Sequence, residues 1–253
     1  MNSESLNHEG IHYRIIGSGP PLVMLHGLNG CKEDWIDSGY VDGLKESHQL
    51  ILLDSRGLGE NNASYDPDFY SIDNLADDVQ SMINHLGFKE FDLIGYSMGG
   101  VVAHWISIKY PEKIRSLVSL DGIITPDLVN IYKYWSENIE EMIQDYAKDP
   151  RNTKTQKSRI INGDSRVIQA LSLGLSQSIS SNLSEFLSLP DPDYPYAVLV
   201  SNLTNLGLNV EEYSSWAKSS TKFKQYHDFD HGDFIYRSDI VIPDLKTFYE
   251  SII

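Results

Sequence analysis

Gly95-Tyr96-Ser97-Met98-Gly99, with Gly100 behind it, lies between two apolar runs of different length. Phe91-Asp92-Leu93-Ile94 is short and suits a strand, whereas Val101-Val102-Ala103-His104-Trp105-Ile106-Ser107-Ile108 reads as a buried helix. A chain that passes from strand to helix within so few residues has no room for side chains on either flank of the bend. Glycine two before and two after the serine removes the Cβ atoms that would block the required φ/ψ values and close backbone contacts. The serine hydroxyl is thereby held above the sheet edge, near the positive end of the following helix. A glycine-rich turn with an incidental serine would satisfy these five residues alone. Strand before and helix after favour a displayed nucleophile.

The rest of the chain supplies the sheet that such a bend needs. Ile11-His12-Tyr13-Arg14-Ile15-Ile16 is an early strand, stopped by Gly17-Ser18-Gly19-Pro20-Pro21. Leu22-Val23-Met24-Leu25 and Gln49-Leu50-Ile51-Leu52-Leu53 are continuous apolar runs, as expected of strands buried on both faces. An amphipathic stretch over residues 32–47 separates them, carrying Trp35, Ile36, Val41 and Leu44. Ser71 is the expected N-cap of a helix carrying Ile72, Leu75, Ala76, Val79, Met82, Ile83 and Leu86, with Gly87 at its end. Ile114-Arg115-Ser116-Leu117-Val118-Ser119-Leu120 is the next strand and ends at Asp121-Gly122. Strands alternating with helices over short connections predict an α/β fold, a doubly wound and mostly parallel sheet.

That rhythm breaks after Gly122. Residues 124–194 show helical periodicity without an obvious strand, and Pro190 and Pro192 make a stiff return. Strands resume at Tyr196-Ala197-Val198-Leu199-Val200 and at Lys222-Phe223-Lys224-Gln225-Tyr226, with a helix expected over 209–220 between them. A closing helix is expected over 239–253. The expected division is therefore a core of 1–123 and 195–253 interrupted by a helical insertion, 124–194.

Gly95-Tyr96-Ser97-Met98-Gly99 is a G-x-S-x-G nucleophile elbow, and it resembles that of the α/β-hydrolase superfamily, in its serine esterase and lipase-like branch. Asp54-Ser55-Arg56-Gly57-Leu58-Gly59 resembles the D-x-R-G-x-G segment of these hydrolases and is read as a structural turn. The insertion resembles their helical cap, or lid. The resemblance implies a base after the last strand, which leaves His227 and His231. His231, in Phe229-Asp230-His231-Gly232-Asp233-Phe234, resembles the superfamily's G-H loop and is the expected base. Most of the superfamily keeps the third member, an acid, after the seventh strand. The turn there, residues 200–207, holds no carboxylate. Asp121, at the end of the preceding strand, is the expected acid, with Asn205, Glu211 and Glu212 as alternatives. The amide of Met98 follows the nucleophile and is one expected oxyanion donor; by resemblance the other is Leu28, in His26-Gly27-Leu28. His26 is expected to brace that loop.

The implied reaction is hydrolysis of a small carboxylic ester, or a related acyl compound, through an acyl-enzyme. Thioesterase, lactonase, C–C hydrolase, acyltransferase and perhydrolase chemistry would use the same machinery. Within the superfamily, serine at the elbow argues against haloalkane dehalogenase or epoxide hydrolase chemistry, which uses an aspartate. A ligand-sensing or partner-binding protein is the alternative of another class. A formal net charge of −16 disfavours nucleic acid and anionic membrane surfaces as partners. A small-molecule acyl substrate is the expected partner, with no metal or other cofactor; oligomeric state is left open. One cysteine, Cys31, suits a reducing compartment, and the absence of a secretory signal at the N-terminus makes cytoplasm the expected location. Residues 148–166 carry six basic against two acidic residues. They read either as a solvated cap face or as a recruiter of anionic substrate.

Overall fold

Consecutive residues of the central strands pack into opposite layers. Val23, Leu25, Ile51, Leu53 and Leu93 join one buried cluster, while Leu22, Met24, Leu50, Leu52 and Ile94 join another. A strand whose every side chain is apolar is stable only between two covered faces, and each such side chain contributes roughly 1.5–3 kcal/mol when fully buried. The structure, a computed structural model, describes residues 4–122, 125–187, 193–202 and 222–252. Its strands are β1 (Leu6–His8), β2 (Ile11–Gly17), β3 (Pro21–Leu25), β4 (Gln49–Leu53), β5 (Phe91–Tyr96), β6 (Ile114–Leu120), β7 (Tyr196–Val200) and β8 (Lys222–Gln225). They form one sheet in the order β1-β2-β4-β3-β5-β6-β7-β8. Pairing is antiparallel through β1, β2 and β4 and parallel from β4 onward. This is the α/β-hydrolase fold.

Helices α3 (Ile72–His85) and α4 (Met98–Lys109) cover one face. In α3 the Ser71 hydroxyl accepts the Asn74 amide, and Ile72, Leu75, Ala76, Val79, Met82 and Ile83 are buried. The opposite face is covered by α1 (Asp34–Asp37), α2 (Tyr40–Leu44), α10 (Asp233–Tyr236) and α11 (Ser238–Glu250). Between β6 and β7 lie α5 (Leu128–Glu137), α6 (Ile139–Lys148), α7 (Lys154–Asn162), α8 (Ser165–Ser181) and α9 (Leu183–Leu187). Thr153 and Gln156 form a reciprocal capping box that starts α7.

The amphipathic stretch over 32–47 forms two short helices, because Gly39 sits at φ 87°, where a right-handed helix cannot continue. β1 was not anticipated; it is short and pairs at the sheet edge with β2. The expected helix over 209–220, the Pro190 and Pro192 return, and the alternatives Asn205, Glu211 and Glu212 lie outside the described residues. Among the described residues no helix is long and apolar enough to cross a membrane.

Candidate active site

The ends of β5, β6 and β7 lie side by side at the carboxyl edge of the sheet, where open α/β sheets bind ligands. Ser97 follows β5 at φ 53° and ψ −118°, a conformation that non-glycine residues rarely adopt. The surrounding backbone enforces it. A Cβ on Gly95 would stand 2.2 Å from the Gly99 carbonyl oxygen, and one on Gly99 would stand 2.1 Å from that of Leu25. The Ser97 amide donates to the Leu120 carbonyl at 2.9 Å, which pins the elbow beside the end of β6.

Asp121 follows β6 immediately and is almost fully buried, also at positive φ, 52°. Its Oδ1 accepts the Ser201 amide at 2.8 Å; its Oδ2 accepts the Ser201 hydroxyl at 2.7 Å and lies 2.7 Å from His231 Nδ1. The other ring nitrogen, Nε2, lies 2.8 Å from Ser97 Oγ. Nδ1–H donation to the carboxylate leaves Nε2 as the acceptor facing the serine hydroxyl. Ser97, His231 and Asp121 thus meet in one line across 134 residues of sequence. Tyr96 holds the imidazole from a third side. Its hydroxyl donates to the His231 carbonyl at 3.0 Å, and the two rings stack with centroids 5.2 Å apart. Burial pushes the Tyr96 phenol well above its usual pKa, so it remains a donor.

The other expected residues fall around this line. Met98 is the first residue of α4, where backbone N–H groups have no partner within the helix. Leu28 lines the same cavity as Ser97 and His231. His26 accepts the Ser55 amide on Nε2 at 3.0 Å and donates from Nδ1 to the Gly27 carbonyl at 2.8 Å. Burial lowers its pKa, so it stays neutral and braces the loop. His227 presents its backbone carbonyl to Asn202 Nδ2. Burial pushes the Cys31 thiol up to about 11, which keeps it protonated. Asp54 is buried and ties its own turn together, accepting the Lys32 and Glu60 amides and pairing with Lys32 Nζ at 2.6 Å.

A cavity of about 400 Å³ opens onto Ser97 and His231; Leu28, Trp35, Val101 and Ile235 line its core side, and Leu128, Ile131, Tyr132, Trp135, Tyr146 and Ile160 form an apolar wall opposite the core. Every one of those six comes from the helices between β6 and β7. Among the described residues no cluster of His, Cys, Asp and Glu is arranged to hold a metal ion.

Four residues of the site escaped the sequence reading: Tyr96, Ser201, Arg151 and Arg159. Tyr96 stands inside the elbow motif and Ser201 directly after β7, so position alone marks both. The basic stretch 148–166 is divided: Lys148, Lys154 and Arg166 lie on an exposed face, while Arg151 and Arg159 reach the loops of the core. Arg151 pairs with Asp149, Asp230 and Asp233, Arg159 with Asp34, and Arg166 with Asp164.

Residues 20–182 match the family model described as the alpha/beta hydrolase fold. Epoxide hydrolase 4 of Homo sapiens is 34% identical over 112 residues, 44% of this chain and 30% of that protein. Proline iminopeptidase of Lactobacillus helveticus is 29% identical over 138 residues, 53% of this chain and 45% of that protein. The match spans less than half the length of these curated relatives. A thermophilic esterase from Thermogutta terrifontis superposes with a TM-score of 0.75 at 21% identity, over 99% of this chain and 97% of the other.

Proposed function

The chain belongs to the alpha/beta hydrolase fold family, and from that premise we propose that it is a serine hydrolase cleaving a small carboxylic ester or related acyl compound. The observation that carries this reading is the hydrogen-bonded line from Ser97 Oγ through His231 to Asp121. Ser97 Oγ attacks the acyl carbon while His231 Nε2 takes its proton. Asp121 holds the ring by Nδ1–H and stabilises the imidazolium that forms. The Leu28 and Met98 amides receive the charge that develops on the carbonyl oxygen, each worth about 10²–10³ in rate. The tetrahedral species collapses as His231 returns the proton to the departing alkoxide, leaving an acyl ester on Ser97. Water, deprotonated by His231, then attacks that ester; the acid departs and Ser97 recovers its proton.

Serine itself favours acyl substrates over the ring opening in the epoxide hydrolase relative's name. Attack by Ser97 on an epoxide carbon would leave an ether, which has no carbonyl for water to attack. An acyl-serine does have one, so turnover can continue.

In this reading, residues 124–194 are a cap on a core of 1–123 and 195–253, and they supply the apolar wall of the acyl site. A cavity near 400 Å³ sits toward the small end of the range for ligand sites, which suits a short substrate. The expected setting is cytoplasmic, with a small-molecule partner. A panel of p-nitrophenyl esters from acetyl to decanoyl, beside a thioester and a lactone, tests the reading. A burst of p-nitrophenol stoichiometric with enzyme and a preference for short acyl chains are expected. Turnover of the thioester or lactone with inert oxyesters would reassign the substrate.

A further inference from the structure

Two arginines of the segment joining α6 to α7 and of α7 itself reach out of the insertion and grip the loops on either side of Ser97. Arg151 grips the loop that carries His231. Its Nη1 donates to Asp233 Oδ1 at 2.8 Å and to Asp230 Oδ1 at 3.1 Å, and its Nη2 lies 2.9 Å from Asp230 Oδ2. Nη2 and Nε also hold Asp149 on Arg151's own segment, and the guanidinium lies over the Tyr236 ring, 4.5 Å from its centroid. Asp230 and Asp233 are the two ends of the turn around His231: each backbone amide donates to the other's carboxylate, at 2.9 and 3.1 Å. Beside them the Tyr236 hydroxyl donates to Asn152 Oδ1 at 2.6 Å. The turn is thus closed by its own carboxylates, and the cap closes the carboxylates.

Arg159 makes the matching grip on the loop that carries Leu28. Its Nη2 donates to both Asp34 carboxylate oxygens at 2.8 Å, and its Nε to the Asn29 carbonyl at 3.3 Å. Asp34 in turn accepts the Cys31 amide at 3.0 Å. Gln156, one turn earlier on α7, donates to Asp34 as well. A planar guanidinium can hold two carboxylate oxygens at fixed geometry, which a flexible ammonium cannot.

The geometry points to Arg151 and Arg159 as positioning residues that make docking of the cap and readiness of the catalytic loops one event. Arg151 holds the base loop in register with Ser97, and Arg159 holds the oxyanion loop. This rests on the hydrolase reading above. It also gives these two residues of the basic stretch a role other than recruiting anions, since both guanidinium groups are occupied by carboxylates of the protein. Displacement of a reacting group by about 1 Å costs on the order of 10²-fold in rate, so the effect belongs in kcat. Both arginines also line the cavity, but the apolar wall stays in place, so KM is expected to move less than kcat.

Arg151→Met and Arg159→Met keep the aliphatic stem and remove the fork; Arg151→Lys keeps the charge. Two measurements are made on each full-length variant at a temperature where circular dichroism shows it folded. One is kcat and KM for p-nitrophenyl acetate; the other is backbone amide hydrogen exchange by peptide. For Arg151→Met, kcat is expected to fall on the order of 10- to 100-fold with KM changed by less than about threefold. Exchange should rise in residues 227–234 and not in α3, and Arg151→Lys should recover part of kcat. For Arg159→Met, the rise in exchange should fall in residues 27–35 instead. An active wild type with Arg151→Met unchanged in kcat, or unchanged in exchange over 227–234, overturns the proposal alone. A wild type inert toward the ester overturns the hydrolase reading and the proposal that rests on it.

Discussion

Ser201 meets Asp121 twice, giving one carboxylate oxygen its amide and the other its hydroxyl, at 2.8 and 2.7 Å. The residue directly after β7 is therefore not itself the acid of this line. It orients one delivered from β6. With His231 as third donor, the Asp121 carboxylate is held by three hydrogen bonds, and rotation away from the imidazole would break them.

Asp121→Asn is expected to lower kcat for p-nitrophenyl acetate on the order of 10⁴-fold, because an amide neither stabilises an imidazolium nor fixes the right tautomer. Ser201→Ala keeps the amide donor and loses one hydrogen bond to a charged group, worth about 1.5–3 kcal/mol. A fall of roughly tenfold or more in kcat is expected, well short of Asp121→Asn. Steady-state rates on purified variants order the two, and a larger effect at Ser201 would show that Asp121 does not orient the base.

Gly99→Ala should destabilise the fold. The added Cβ would face the Leu25 carbonyl at 2.1 Å, and the obstacle is backbone that cannot swing aside. Overpacking of this kind costs about 1–3 kcal/mol or more. A lowered urea midpoint at unchanged slope is the expected result; an unchanged midpoint would mean that the elbow is looser than its contacts indicate.

His104, on α4, is buried, with Nε2 donating to the Phe186 carbonyl at 3.0 Å. Burial lowers its pKa from 6.5 to about 4. Between those values the unfolded chain binds a proton that the folded chain refuses, so stability is full above pH 6.5 and declines as pH falls toward 4. The contribution lost by pH 4.5 is on the order of 2 kcal/mol. His26 and His48 are also lowered by burial and act in the same direction. His104→Gln isolates the one term. Urea unfolding at pH 7.5 and 4.5 should show the variant losing on the order of 2 kcal/mol less than wild type across that interval, and equal losses would exclude His104 as the source.

Much of the fold was legible because burial on both faces writes itself as continuous apolar runs. Leu22 to Leu25 and Leu50 to Leu53 are strands for that reason. The break at Gly39 was legible in principle, yet amphipathic spacing on both sides of it reads through a single glycine. The elbow at Ser97 was legible because its sterics are local. Asp121 entered as a candidate through the empty turn after β7, an argument by position. Ser201 was marked only by its place after β7, and the cross-loop pairings of Ser201 and the two arginines left no local mark. Their partners on the core loops lie 80 to 130 residues away, and a contact between distant loops leaves no periodicity to read. Arg151 and Arg159 were visible only as charge, and charge alone did not say which carboxylates would meet it.

Covalent labelling of the intact protein by a fluorophosphonate, read by mass spectrometry, addresses the nucleophile directly. One adduct per chain, mapped to Ser97, is expected for wild type. Ser97→Ala should take none, and His231→Ala should label far more slowly. A folded wild type that stays unlabelled, or an adduct that persists in Ser97→Ala, would contradict the assignment of Ser97 as the activated hydroxyl.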